Sequence, residues 1–579
     1  MTNEGVGSGE WGVGQEAAGV GGRESGVGDK PASFSTTDNR QPTTPAPTPD
    51  SRNATPALIA TLIAVAAIAF MQSYARWLDP IIDTGRDLYI PEQLANGAKL
   101  YRDIRYQYPP LAPYVLALIT GGIGHSLLSY MAVGIAQSCV IAASLWMALR
   151  RAAGIVPAFA ATLSFAALSF CGASTWGANF LFPYSYGATI GMTLLCVALA
   201  ALIYKRNNVA LSALVLASWC KVEYAIAALL IVAILTFARR LKLTHVASFI
   251  GAMAAIFAAA SLYFRGSGWL TENVFASWQH GARAQHFFEV VSGAAMWRDQ
   301  LTQLAIGVAG IVAIALLMRT GRWAAAIPII IIGILIGNHS FFRAWALLQW
   351  LALAWALVRD RESPLVIFAA FSVASTLRIP LNVSPSWYGF VLTIPVFALA
   401  AYTLFCYIPR RNAMTFLWIV PFAANAVGDL WQQHEQYALK SFPIVSSRGT
   451  FYDWNADRAR TLNALIATIH DGTLVIMPEG ITINYLTRTR TPLTFHTFTP
   501  VETADPAVES TILRELAEHP PNRVAIVTRD VREYGSRGFG IDYALRITAF
   551  LHKQYRVEKA WRGERFNVLL LKLETPRIP

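Results

Sequence analysis

Between residues 76 and 111 the chain carries Asp79, Asp83, Arg86, Asp87, Glu92, Lys99, Arg102, Asp103 and Arg105, interleaved with Trp77, Tyr89, Tyr101, Tyr106 and Tyr108. A carboxylate in such a segment can take the proton from an attacking hydroxyl. The aromatic rings can stack on the apolar faces of a sugar, or can simply anchor a loop at the level of lipid headgroups. The bland alternative for the charges is a loop whose ionised groups face water. The segment is too long for a tight connection, which favours a functional loop.

A second polar group is WCKVEY (219–224), which interrupts two apolar runs. At a helix centre Lys221 and Glu223 would each cost about 2.5–3.5 kcal/mol. They read either as a snorkelling pair at the interface or as a site, with Lys221 holding a phosphate and Glu223 binding a sugar hydroxyl or orienting Lys221. A third group comprises Asn338, His339, Arg343 and Arg378 near the ends of later runs, with His280, Arg283 and His286 in the loop 265–300. Interfacial anchoring is their default role. A guanidinium also matches phosphate oxygens bidentately, so Arg343 and Arg378 are candidates for a leaving phosphate. The histidines lack metal-ligand spacing, so a His-built metal site is not supported.

The elements that must position these groups are apolar. The 579 residues are 54% hydrophobic and only 14% charged, far below the charged fraction of a water-soluble chain. The formal net charge of +12 does not point to nucleic acid. Its basic residues sit in clusters that close apolar runs: Arg150–Arg151, Lys205–Arg206, Arg239–Arg240–Lys242, Arg319/Arg322, Arg359/Arg361 and Arg410–Arg411. Such clusters mark the cytoplasmic ends of membrane spans. Between them the runs 155–171 with 185–204, 208–220 with 222–238, 243–264 with 301–318, 323–338 with 341–358, and 363–378 with 387–407 pair as outward and return spans. With 57–75, 127–149 and a final run at 412–428, the pattern predicts a mainly α, polytopic membrane protein of about thirteen transmembrane helices. The N-terminus then lies in the cytoplasm. The first loop, the 219–224 turn, the loop 265–300, Arg378 and everything after 429 lie on the opposite face. Residues 110–124 are too short to span and read as an interfacial helix.

Residues 1–55 are rich in Gly, then in Ser, Thr and Pro, and read as a disordered tail. The membrane domain is expected over 56–428. In 429–579, the strand-like runs 473–477, 523–527 and 566–571 alternate with helical stretches near 457–470, 507–518 and 541–554, predicting a small soluble α/β domain. Pro478-Glu479-Gly480 reads as a strand-ending turn, with a binding loop as the less common alternative. The five cysteines all lie in apolar runs and form no CxxC pair, so disulfides and Cys-metal sites are not expected.

The motifs DTGRDLY (83–89), LANG (94–97), LYRDI (100–104) and YQYPPL (106–111) resemble the first loop of the polyprenyl-phosphate-dependent glycosyltransferases of the GT-C fold. The branch resembled is that of bacterial protein mannosyltransferases and aminoarabinose transferases. The resemblance implies a catalytic acid residue just after the first span, here Asp83, with Asp79 and Asp87 as rivals. From the residues themselves, donor phosphate and sugar contacts are expected of Arg86, Lys221, Glu223, Arg343 and His339, and sugar or acceptor contacts of Tyr101, Asp103, Tyr106 and Tyr108. The implied partners are a polyprenyl-phosphate-linked sugar, membrane lipids and an acceptor of unassigned class. The implied reaction is an inverting transfer at the outer face of a bacterial plasma membrane. No cofactor is assigned, and a divalent cation between Asp83 and the donor phosphate stays open. The paired Asp-Glu of protein mannosyltransferases is absent, which leaves the acceptor class undetermined. A transporter or lipid flippase, or an envelope-binding scaffold, are the competing classes. No internal repeat of the kind common in transporters is evident.

Overall fold

The computed structural model describes residues 49–172, 178–276, 285–320, 340–407 and 418–574. Six of its helices are long and apolar enough to cross a membrane: Thr55–Ser73, Leu127–Ala152, Tyr186–Ile203, Leu243–Tyr263, Ala294–Arg319 and Ser340–Arg359. Six shorter apolar helices accompany them: Leu111–Ile123, Ile155–Ser169, Asn207–Ser218, Val222–Phe237, Pro364–Ser375 and Ile394–Tyr407. These follow the runs expected from hydropathy, and the architecture is that of a polytopic helical membrane protein. The run 323–338 lies outside the described residues. The helix expected at 412–428 is observed as Ile419–Ala438, which continues past the presumed domain boundary at 429. Its polar end is paired inside the bundle: Gln433 Nε2 donates to the Ala167 carbonyl at 2.6 Å, and Tyr437 Oη to that of Gly172 at 2.8 Å. The helix runs on through the drop in hydropathy with Gln433 and Tyr437 turned into the bundle and Trp431, His434, Glu435 and Gln436 exposed.

The helix Val222–Phe237 shows how the two ends of the bundle differ. At its start Glu223 pairs with Arg378 at 3.1 Å. At its end Arg361 lies over the Phe237 ring, and just beyond it the Arg240 guanidinium donates to the Glu362 carbonyl. The basic clusters 239–242 and 359–361 thus meet at one end. Arg378 and Glu223 meet at the other, about 20 Å away along the helix. This is the grouping that the alternation of charges predicted.

After the last helix comes a hairpin of β1 (Phe442–Ser446) and β2 (Gly449–Asp453), then a four-stranded sheet. The sheet contains β3 (Leu474–Met477), β4 (Arg523–Val527), β5 (Tyr555–Arg562) and β6 (Asn567–Leu573) in the order β3-β4-β6-β5. β3 and β4 run parallel, and β4 pairs antiparallel with β6, placing Val524 opposite Leu571. Val475, Met477, Ile512, Leu516, Val524 and Ile547 build its core. β5 and the hairpin were not expected. β5 is an exposed edge strand whose charged residues (YRVEKAWR) hide the apolar alternation by which strands are read.

This region is stitched to the first loop along its whole length, and the described residues form one compact unit. Arg458 pairs with Asp79 at 3.2 Å, and Arg448 with Glu92. The Tyr89 hydroxyl accepts from Thr491 N at 3.0 Å, and Arg105 N donates to the Thr494 carbonyl at 2.9 Å. Gly85 presses against the backbone of Thr482 so closely that a β-carbon would fall 2.3 Å from Thr482 N. Gly85→Ala is therefore expected to destabilise the protein by about 1–3 kcal/mol, since a main-chain neighbour cannot swing aside. Thermal unfolding of the purified protein in detergent checks this.

Candidate functional site

Asp83 ends the first span's connection and opens the helix Thr84–Ala95. Its backbone is at φ 53°, ψ −62°, and Thr84 N donates across it to the Ile82 carbonyl at 2.6 Å. This is a γ-turn of the rare positive-φ kind, a conformation that costs about 1–3 kcal/mol and persists only when its surroundings enforce it. Two carboxylates do so. Asp79 Oδ1 accepts from Ile81 N at 2.8 Å and Ile82 N at 3.0 Å, shaping the approach. Glu479 Oε1 accepts from Asp83 N itself at 2.9 Å. The other Glu479 oxygen accepts from Arg529 Nε at 2.8 Å, and Arg529 also pairs with Glu533 at 2.5 Å.

The environments of the two carboxylates separate them. Burial pushes Asp79 up, but Arg458, the Ile82 and Ile81 N–H groups and Lys440 outweigh it and hold the carboxyl below its ordinary range. Burial pushes Glu479 up to about 7, with Arg529 opposing and the nearby Asp83 adding to the rise.

Asp83 faces a cleft of about 520 Å³ that is also lined by Arg86, Tyr108, Lys221, Glu223 and Arg378. Three cations crowd one side. Arg86 and Lys221 lie 5.0 and 5.1 Å from the Tyr108 ring centre, and Arg378 lies 4.4 Å from that of Tyr388. Arg86 is 3.9 Å from Asp83 and 3.6 Å from Asp87, too far for a hydrogen bond to either. Its buried Nε has no hydrogen-bond partner among the described residues, nor has that of Arg378. Glu223 ties Lys221 (3.6 Å) to Arg378 (3.1 Å). Guanidinium donors left over in a cationic cluster suit a tetrahedral anion such as a phosphate. The Asp83 carboxylate, by contrast, is 37% exposed and accepts no hydrogen bond from any described residue.

The sequence candidates divide accordingly. Asp83, Arg86, Tyr108, Lys221, Glu223 and Arg378 line the cleft together. The rivals of Asp83 are otherwise engaged: Asp79 in its turn and the Arg458 pair, and Asp87 buried behind Arg86, where Tyr186 N donates to it at 2.5 Å. Three proposed sugar contacts are not on the cleft. Tyr101 is buried among Phe264, Trp269 and Tyr106 and donates to the Tyr108 carbonyl. Tyr106 is buried between Tyr101 and Tyr108. Asp103 accepts from Lys99 N and pairs with the exposed Arg102. These groups build the loop, and only Tyr108 reaches its open face. Arg343 ends a short helix, Ser340–Arg343, and is not among the cleft's lining residues. His339, Asn338, His280 and Arg283 lie outside the described residues, as does the side chain of His286.

Glu479 and Arg529 were not expected in the site. The signal for Glu479 was faint: an acid in a Pro-Glu-Gly turn directly after the all-apolar LVIM strand. Arg529 carries none. Among the described residues no three His, Cys, Asp or Glu side chains gather as metal ligands. A divalent cation held by Asp83 would draw its other ligands from phosphate and water.

No protein-family model and no curated protein sequence matches the chain. Among solved structures it resembles ArnT from Cupriavidus metallidurans bound to undecaprenyl phosphate, with a TM-score of 0.51 and 14% identity over 89% of this chain and 98% of that one. An oligosaccharyltransferase from Archaeoglobus fulgidus aligns at a TM-score of 0.46 and 11% identity, over 80% of this chain and 67% of that one. The archaeal oligosaccharyltransferase AglB from the same organism, in complex with an inhibitory peptide and a dolichol-phosphate, aligns at 0.44 and 12%, over 81% and 69%. The match to ArnT extends over nearly the whole of both chains, so the likeness covers the C-terminal sheet region as well as the helical bundle. The chain has the GT-C fold, the architecture of the polyprenyl-phosphate-dependent glycosyltransferases that its first loop resembles.

Proposed function

We propose that this protein is a membrane glycosyltransferase that moves a sugar from a polyprenyl-phosphate carrier to an acceptor hydroxyl at the extracytoplasmic face. The observation that carries the reading is the Asp83 carboxylate. It faces the cleft without a hydrogen bond from the described residues, beside the cationic group of Arg86, Lys221 and Arg378. The acceptor oxygen attacks the anomeric carbon as Asp83 takes its proton. The bond from that carbon to the phosphate oxygen breaks, and the polyprenyl phosphate leaves with the electron pair. The cations stabilise the charge growing on the phosphate, an electrostatic contribution that often dominates catalysis. A single displacement inverts the anomeric centre, so one carboxylate suffices. The apolar helices keep the lipid tail in the bilayer while the sugar phosphate reaches the cleft. In this reading 429–579 is an extracytoplasmic region, and the plasma membrane of a bacterium is the setting.

The test is direct. Purified protein in lipid nanodiscs, given a polyprenyl-phosphate-linked hexose and membrane-extracted acceptors, should release polyprenyl phosphate in step with glycosylated product. Movement of the lipid-linked sugar across a vesicle membrane with no release would instead establish a flippase. Lys221→Met is expected to lower kcat/KM for the donor by about 10²–10³-fold, the usual loss when one stabilising donor is removed. An unchanged value would take Lys221 out of the phosphate site.

A further inference from the structure

The cleft has a second wall with a different chemistry. It is built by Thr497, Thr499, Glu502, Arg529, Glu533 and Tyr534, all from the C-terminal region. Its one cation, Arg529, is committed to Glu479 and Glu533. Glu502 accepts from the Thr497 hydroxyl at 3.3 Å and from that of Thr499. Carboxylates thus outnumber cations on this wall, whereas Arg86, Lys221 and Arg378 outnumber Glu223 on the other. Asp83 stands at the seam, 3.9 Å from Arg86 on one side and with its N–H on Glu479 on the other.

From this division we infer that the C-terminal wall is the acceptor subsite, and that it takes an uncharged, polyhydroxylated acceptor. The inference rests on the transferase reading above and adds the class of the second substrate. A hydroxyl group can both donate and accept, while an ionised carboxylate only accepts. A surface of carboxylates and hydroxyls therefore pairs best with a ligand rich in O–H donors, as a glycan is. A phosphate-bearing acceptor would set like charges against each other on that wall and would be drawn to the donor's cations instead, blocking the reaction. The proton that Asp83 removes then comes from a sugar hydroxyl held against Glu502 and the two threonines.

The experiment uses full-length protein in nanodiscs with a polyprenyl-phosphate-linked hexose as donor. Two acceptor probes are compared, an alkyl glycoside and the same glycoside phosphorylated at one hydroxyl. Release of polyprenyl phosphate is measured separately from product formation. The neutral glycoside is expected to be glycosylated with a kcat/KM at least about tenfold above that of its phosphorylated form, and Glu502→Gln should narrow that ratio. Equal use of the two probes, preference for the phosphorylated one, or donor cleavage with transfer to neither overturns the acceptor assignment while leaving the transferase reading in place. Absence of any polyprenyl phosphate release removes both.

Discussion

Asp83→Asn is expected to abolish sugar transfer, with a loss of about 10²–10⁴-fold or more in kcat and no loss of fold. Asparagine matches aspartate in size and is among the few residues that accept positive φ readily. The γ-turn, the Asp83 N–H bond to Glu479 and the neighbouring Gly85 contact all survive the change. The proton acceptor is removed together with its charge, 3.9 Å from Arg86. Asparagine is preferable to alanine here, since alanine would add backbone strain of about 1–2 kcal/mol at this φ and mix a folding defect with a chemical one. The measurements are product formation by mass spectrometry and thermal unfolding of the same preparation. Normal turnover by Asp83→Asn would move the base to another carboxylate lining the cleft.

Glu479→Ala should give the second large effect, for a different reason. It strips the acceptor from Asp83 N and leaves the Arg529 guanidinium, only 6% exposed, without one of its two carboxylates. Removing one member of a buried pair costs about 3–5 kcal/mol, and the strained turn loses the group that holds it. Glu479→Gln keeps an amide oxygen for Asp83 N and should restore most of the activity, whereas Glu479→Met, which fills the space without offering that acceptor, should not. These variants also differ from the wild type in pH behaviour. Glu479 ordinarily titrates at 4.5 and is pushed up to about 7 in the fold, chiefly by burial. Between those values the folded protein keeps a proton that the unfolded chain has released. Stability contributed by the group is therefore complete below 4.5 and falls as pH rises through 7. In Glu479→Gln that decline should vanish from a plot of unfolding midpoint against pH. A slope unchanged from the wild type would assign it to another group.

What the sequence disclosed and what it withheld follow from the kind of signal each feature leaves. The membrane helices announce themselves by length and hydropathy. The Lys221–Glu223 pair and Arg378 stand out because charge beside apolar runs is costly and rare. The acid-rich first loop marks itself by composition. The sequence ranked Asp83 first by resemblance, but only the backbone shows why it differs from Asp79 and Asp87: they serve as structural acceptors for main-chain N–H groups, and it does not. Tyr101, Tyr106 and Asp103 were drawn into the site by proximity along the chain, which says nothing of which face a loop residue takes. Glu479 and Arg529 were hidden because a buried ion pair assembled from separate strand ends has no local pattern. The helix end at 438 was hidden because its last turns carry mostly exposed polar residues, and the buried Gln433 looks like its solvent-facing neighbours.

The bond between Asp83 and Glu479 spans 396 residues of chain. A ribosome adding about 5–20 residues per second needs roughly 20–80 s to cover that distance. Throughout that interval the first loop has already emerged while one of the two carboxylates that hold its strained turn does not yet exist. A nascent chain can therefore enter the bilayer before that turn is held in place, and the proposed chemistry becomes possible only after Glu479 has been made.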